Sequence, residues 1–250
     1  MLLAVDVGNT NTVLGVFDAD RLVDSWRVKT DARATGDELG LLYRGLLAGH
    51  DITGIAACST VPAVQHELRT VFSKQYAGVP AVIVEPGVKT GVQLHYDNPR
   101  ELGADRIVNT LAAYTLFGGP SVVVDFGTST NFDVVGPKGE FLGGVLAPGI
   151  DVSMEALASR AARLLKVELA RPRSVIGKST VEALQSGMLY GFASQVDGIV
   201  DRIIGEIGPP TAVVATGGLA PLLLEESRTI THHEPELTLI GLRLVFERNQ

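Results

Sequence analysis

Short apolar runs at residues 2–5, 13–17 and 22–28 are separated by polar turns, and the same order of runs and turns returns at 122–124, 132–135 and 140–145. Runs of this length bounded by Gly, Asp, Asn and Pro read as strands. Each half of the chain therefore opens with a three-stranded meander. The first turn of each meander is itself repeated. Asp6-Val7-Gly8-Asn9-Thr10-Asn11-Thr12 is echoed, nearly half the chain further on, by Asp125-Phe126-Gly127-Thr128-Ser129-Thr130-Asn131. Self-similarity at this period points to two copies of one supersecondary unit.

Behind each meander the apolar period lengthens to that of a helix. Residues 37–47 place Leu39, Leu42, Leu46 and Leu47 on one helical face, and residues 152–165 carry a comparable stripe. Further along, 54–58, 79–84 and 212–215 read as buried strands. Residues 101–116 and 180–207 read as helices, the second with Gly187, Gly191 and Gly198 as points of interruption. The expected class is α/β, two lobes around mixed sheets. Gly118-Gly119-Pro120 stops the helical period and sets the boundary, giving an N-terminal lobe over residues 1–117 and a C-terminal lobe over 118–250.

Composition narrows the function. At 250 residues, 46% of them hydrophobic, the chain can bury a substantial core. A net charge of -7, with 21 Lys and Arg residues forming no basic block, offers no broad attraction for nucleic acid. Cys58 is the only cysteine, which excludes an intrachain disulfide and an all-cysteine metal site and fits a reducing compartment. Asp6 comes too early for the apolar core of a signal peptide, and no apolar run approaches the ~20 residues of a membrane helix. A cytoplasmic protein with no membrane partner is expected.

The repeated turns carry the candidate chemistry. Gly, Asn, Thr and Ser at a strand end expose backbone N–H groups and hydroxyls without bulk, as a phosphate chain requires. One such turn also occurs as a plain hairpin; two equivalent turns, each after an aspartate, can grip one polyphosphate from both sides. A carboxylate beside a triphosphate repels it unless a cation intervenes, which makes Asp6 and Asp125 the cation candidates. No Gly-x4-Gly-Lys-Ser/Thr sequence occurs, so the chain is not a P-loop enzyme. His232 and His233 read as solvated loop residues. Thr216-Gly217-Gly218 follows a strand and lets a flat ring or ribose approach the backbone. Asp105, at the start of the helix carrying Ile107, Val108, Leu111 and Ala112, can take the proton of a hydroxyl attacking a phosphoryl group, with Arg106 beside it for an anionic group. An acidic residue in a first helical turn and a surface Arg are the purely structural alternative.

Taken together, Asp6-Val7-Gly8-Asn9-Thr10-Asn11-Thr12-Val13, Gly103-Ala104-Asp105-Arg106, Asp125-Phe126-Gly127-Thr128 and Gly217-Gly218 resemble, from end to end, the type III pantothenate kinase family. The resemblance implies the acetate and sugar kinase, Hsp70 and actin fold, with duplicated ribonuclease-H-like (actin-like ATPase) lobes and an interlobe cleft. It implies phosphorylation of pantothenate at its primary hydroxyl by ATP with magnesium, the first step of coenzyme A biosynthesis. It makes Asp6 to Val13 an ATP phosphate loop, Thr128, Gly217 and Gly218 further ATP contacts, and Asp105 the catalytic base. Tyr96, Gly103, Ala104, Asp105 and Arg106 become pantothenate contacts, Asp125 the ligand of a monovalent cation such as potassium or ammonium, and Thr180 a substrate contact across a homodimer interface. Two rivals share the fold: another small-molecule kinase or a polyphosphate phosphatase, and a regulatory protein without turnover, such as a transcriptional activator. Gly103-Ala104-Asp105-Arg106 argues against the first, retained Asp105 and the acidic charge against the second.

Overall fold

A computed structural model describes residues 1–160 and 167–250. The chain forms two compact units. The first holds Met1–Gln93, Asp97–Ala112 and Glu236–Gln250; the second holds Leu94–Tyr96 and Ala113–Pro235. The expected single cut between residues 117 and 118 thus meets a division in which segments cross over. The C-terminal helix returns to the first unit because its apolar face needs the first sheet.

In the first unit, β1 (Leu2–Val7), β2 (Asn11–Asp18) and β3 (Arg21–Lys29) form the meander, followed by α1 (Gly36–Leu46), β4 (Gly54–Ser59), α2 (Pro62–Gln75) and β5 (Ala81–Ile83). The sheet order is β3-β2-β1-β4-β5, antiparallel in the meander and parallel from β1 to β5. Side chains alternate across β1 and β4 as strand geometry demands. Leu3, Val5, Val7, Ile55 and Ala57 face one cluster with Tyr43 of α1 and Leu68 of α2. Ala4, Ala56 and Cys58 face the other, with Val108 and Leu111 of α3 (Ala104–Phe117) and Leu239, Leu242 and Val245 of α7 (Leu237–Glu247).

The second unit repeats this plan. β6 (Ser121–Phe126), β7 (Ser129–Val135) and β8 (Phe141–Pro148) form a meander, and β9 (Ala212–Thr216) and β10 (His232–His233) extend it in parallel. The order β10-β9-β6-β7-β8 is the first sheet's order read from the other edge. The duplication extends to the parallel pairing, with Asp6 opposite Cys58 and Asp125 opposite Thr216, whereas the second hairpin turn is one residue shorter, Asp6 pairing with Val13 and Asp125 with Asn131. The helices are α4 (Ile150–Arg160), α5 (Thr180–Ile207) and the short α6 (Ala220–Leu223).

Several expectations change in detail. The helix expected over 152–165 begins earlier, at Ile150, and its part beyond residue 160 lies outside the described residues. The α5 helix runs unbroken through Gly187, Gly191 and Gly198, because Ser186, Leu189, Ala193, Val196, Val200 and Ile203 make a continuous buried stripe that outweighs the ~1 kcal/mol cost of each glycine. His232 and His233 form an exposed edge strand rather than a loop. Two helices, α2 and α7, come in addition to those expected.

The α7 and α3 helices meet at Gly241. A Cβ there would collide with the Val108 backbone carbonyl, and Thr238 Oγ1 donates to the buried Asn109 Oδ1 at 2.8 Å three residues earlier on α7. This contact fixes the helix whose first turn carries Asp105. Gly241→Ala is expected to destabilise the protein by about 1–3 kcal/mol through overpacking, despite the higher helix propensity of alanine. Urea unfolding followed by circular dichroism checks this, and a more stable mutant would show that the helices are not in backbone contact.

Candidate active site

The β1–β2 turn is built by hydrogen bonds that leave its middle exposed. Gly8 N–H donates to the Asn11 carbonyl at 3.0 Å, and Thr30 at the end of β3 holds the turn from one side, its Oγ1 donating to the Gly8 carbonyl at 2.8 Å and lying 2.9 Å from Thr12 Oγ1. From the other side Thr60, just past β4, donates to the Val7 carbonyl through its N–H at 2.9 Å and its Oγ1 at 3.2 Å. Val7 and Thr12 are buried and Val13 packs into the core, whereas Asn9, Thr10 and Asn11 stand exposed on a rigid base. That is the form a phosphate loop needs.

Asp6 lies one residue before this turn, on the sheet face that α3 covers. Asp105 stands in the first turn of α3 on the same side. Burial, and after it the Asp105 carboxylate, push the Asp6 carboxyl up to about 7; the Cys58 thiol, donating to Asp6 Oδ1 at 3.3 Å, and Arg27 on β3 pull it down. Burial also raises the Asp105 carboxyl, against the Arg106 N–H, which donates to Asp105 Oδ1 at 2.9 Å, and the Arg106 guanidinium. The positive end of α3 acts in the same direction as Arg106. Two carboxylates that repel each other in partial burial form a centre poised for proton acceptance or for a cation. Gly103 is part of the arrangement, because a Cβ there would collide with Asp105 Oδ1. Arg27, Thr30, Thr60 and Cys58 are site residues that the sequence reading did not single out for this role.

In the second unit, Asp125 occupies the position on β6 that Asp6 occupies on β1. Gly217, at φ +88°, turns the chain immediately after β9; a Cβ there would stand 2.6 Å from both Asp125 Oδ1 and the Phe126 carbonyl. Only glycine lets the two turns approach this closely. Thr128 is exposed in the β6–β7 turn, its carbonyl accepting from Gly149 N–H at 3.1 Å ahead of α4, and Gly218 is exposed beside Gly217. Tyr96 is half-buried, its ring edge-on to Phe141 at 5.7 Å. Thr180 is exposed at the start of α5, after Ser179, whose Oγ accepts from Glu182 N–H at 3.2 Å. The structure thus brings Asp6 to Val13 together with Gly103 to Arg106 in one unit, and Asp125 together with Gly217 in the other.

The comparison with known families decides what this geometry belongs to. A family model described as type III pantothenate kinase matches residues 2–202. The chain belongs to the type III pantothenate kinase family. A protein of that name from Frankia alni is 67% identical over 249 residues and one from Salinispora arenicola 65% identical over 251, each alignment covering 100% of both chains. Among solved structures, the ROK hexokinase of Thermus thermophilus superposes with a TM-score of 0.57 at 17% identity, over 99% of each chain. A Campylobacter jejuni protein provisionally named a Baf family transcriptional activator gives 0.61 at 19%, over 99% of this chain and 98% of its own. At such identities these likenesses carry the fold alone. It is the duplicated, actin-like α/β fold of the sugar kinases, as the sequence of this family member led one to expect.

Two outcomes follow from the site. The Asp6 carboxyl titrates lower in the unfolded chain than in the folded one, so the folded state binds the extra proton and its contribution is fully present below about pH 4. It is lost as pH rises through about 7, by up to about 4 kcal/mol for a shift of this size. Without nucleotide or metal, Asp6→Asn should therefore melt above the parent at pH 8 and lose most of that advantage by pH 4, as read by differential scanning calorimetry; parallel melting profiles across this range would remove the buried-carboxylate account. Gly103→Ala should fold nearly as well as the parent, since its new methyl meets only a movable carboxylate, yet lower turnover at least ~10-fold by displacing Asp105. Unchanged turnover would mean that Asp105 need not occupy its present position.

Proposed function

We propose that this chain transfers the γ-phosphoryl group of ATP to the primary hydroxyl of pantothenate, giving 4′-phosphopantothenate in the first step of coenzyme A biosynthesis. The observation that carries the reading is the pairing of Asp6, at the mouth of an asparagine- and threonine-rich turn, with Asp105 in Gly103-Ala104-Asp105-Arg106, in a chain two-thirds identical to proteins named for this activity. Asp105, its carboxyl raised by burial, takes the proton as the acceptor oxygen attacks the γ-phosphorus. The bond from that phosphorus to the β–γ bridging oxygen breaks, and ADP leaves with the bonding pair.

The residues Asp6, Val7, Gly8, Asn9, Thr10, Asn11, Thr12 and Val13 form the phosphate loop, with Thr128, Gly217 and Gly218 as further ATP contacts. Magnesium bound with ATP would supply positive charge to the transferring group. Asp6 suits that cation, because a carboxyl raised by burial and a like charge gains most from a neighbouring cation. Asp125, against the backbone of Gly217, suits a monovalent ion such as potassium or ammonium. Arg106 pairs with the pantothenate carboxylate, Gly103 and Ala104 shape its loop, and Tyr96 lines the substrate.

Thr180 completes the substrate site from a second copy of the chain. Just before it Val175 and Ile176 are 66% and 70% exposed, an apolar surface of the kind that homodimers cover. Among the described residues no helix is long and apolar enough to cross a membrane, in keeping with work in the cytoplasm. The Campylobacter jejuni neighbour brings a regulatory reading to mind, but a protein without turnover needs no raised carboxyl beside a phosphate turn.

Asp105→Asn should leave the affinity for magnesium-ATP within a few-fold of the parent and lower pantothenate phosphorylation by about two to four powers of ten, the usual range for loss of a general base. A coupled ADP-release assay with potassium and magnesium present measures both. A mutant turning over within a few-fold of the parent would remove Asp105 from the mechanism, and a parent that phosphorylates other hydroxy compounds but not pantothenate would overturn the choice of substrate.

A further inference from the structure

We infer that Cys58 is a positioning residue for phosphoryl transfer, its thiol holding the Asp6 carboxylate in the orientation from which it meets magnesium-ATP. The inference rests on the kinase reading above and deepens it. Cys58 is 1% exposed and lies in register beside Asp6 across the parallel β1–β4 pair, with Sγ 3.3 Å from Oδ1. Paired residues of parallel strands share a sheet face, so this contact is set by the sheet itself rather than by a mobile side chain. Thr60, two residues on, fixes the neighbouring Val7 carbonyl through two hydrogen bonds. The end of β4 therefore holds both the backbone and the carboxylate at the start of the phosphate turn.

The repeat separates this role from plain packing. It places Thr216, 2% exposed, beside Asp125 in the register that Cys58 has beside Asp6. Both halves thus set a small hydrogen-bonding side chain against the acidic residue, at a strand position where the neighbours Ala56 and Val214 are apolar. The other charged groups acting on Asp6 are Asp105 from α3 and Arg27 from β3. Of these, Asp105 repels the carboxylate and Arg27 attracts it, while Cys58 is the one that also fixes an oxygen by a hydrogen bond. A buried apolar residue in its place would leave that oxygen to swing toward Arg27 or away from Asp105.

The test compares Cys58→Ser, Cys58→Ala and Cys58→Val in the full chain, by steady-state kinetics with magnesium-ATP and pantothenate and by calorimetric titration with magnesium and the non-hydrolysable analogue AMPPNP. Serine, which keeps a donor, should stay within about threefold of the parent. Alanine and valine should raise KM for magnesium-ATP and Kd for magnesium-AMPPNP about fivefold or more, the scale of one charge-assisted hydrogen bond, with KM for pantothenate within twofold. In an Asp6→Asn background, Cys58→Ala should add nothing further to Kd. Alanine and valine variants that bind magnesium-AMPPNP as the parent does, or a serine variant weaker than alanine, would overturn the role; packing alone predicts that order, since a hydroxyl is costlier than a methyl in an apolar site. Should Cys58→Ala fail to fold, serine against valine gives the same contrast. A parent that binds magnesium-AMPPNP but leaves pantothenate unphosphorylated would sink the kinase reading while the binding series still decides on Cys58.

Discussion

Two carboxyl groups repelling each other in a half-buried corner of a sheet are the constraint around which the first unit is arranged. Asp6 is raised to about 7 by burial and by Asp105, and Asp105 is itself raised by burial. Folding alone gains nothing from such a pair. The surroundings offset part of the cost: the Cys58 thiol and Arg27 act on Asp6, and the first turn of α3 with Arg106 acts on Asp105. None of these removes the repulsion. On the proposed reading a cation entering beside the turn would, turning an unfavourable feature of the fold into affinity for magnesium-ATP.

The position of Asp105 depends on contacts far along the chain. Its helix is clamped by α7, where Gly241 lets the backbones touch and Thr238 hydrogen-bonds Asn109. The last helix of the sequence thereby sets the geometry of a residue at position 105, and the C-terminal segment belongs to the first unit. The second unit uses the same sheet order and places Asp125 where the first places Asp6, but it surrounds the aspartate differently. Gly217, glycine by necessity, brings backbone rather than a second carboxylate against it. A single duplicated scaffold thus offers two acidic positions of different character, one paired with a second carboxylate and one lined by main chain.

Much of this was legible in the amino-acid order, because local signals coincide with the elements. The two meanders follow from alternating apolar runs, and the repeated Asp-x-Gly turns mark both acidic positions. What remained hidden is non-local. The pairing of Cys58 with Asp6 exists only through the β1–β4 register, so a cysteine read for its redox meaning turns out to contact the site. The proximity of Asp6 and Asp105 likewise depends on which face of β1 the α3 helix covers. Two helices bury their stripes against distant elements: Val64, Leu68, Val71 and Phe72 on α2, and Leu237, Leu239, Leu242 and Val245 on α7. Without α7 in view, a single boundary after residue 117 was the natural reading. Conversely, glycines at 187, 191 and 198 suggested breaks that the buried stripe of α5 overrides.

The direct measurement of the central interaction is a carbon-13 NMR titration of the aspartate side-chain carboxyls in the nucleotide-free, metal-free protein, repeated with Asp105→Asn. The Asp6 resonance should titrate with a midpoint near 7 in the parent and at a lower pH once Asp105 is neutral. An Asp6 midpoint in the ordinary carboxylate range near 4, or one indifferent to the charge at position 105, would contradict the account of two carboxylates held together as the working centre.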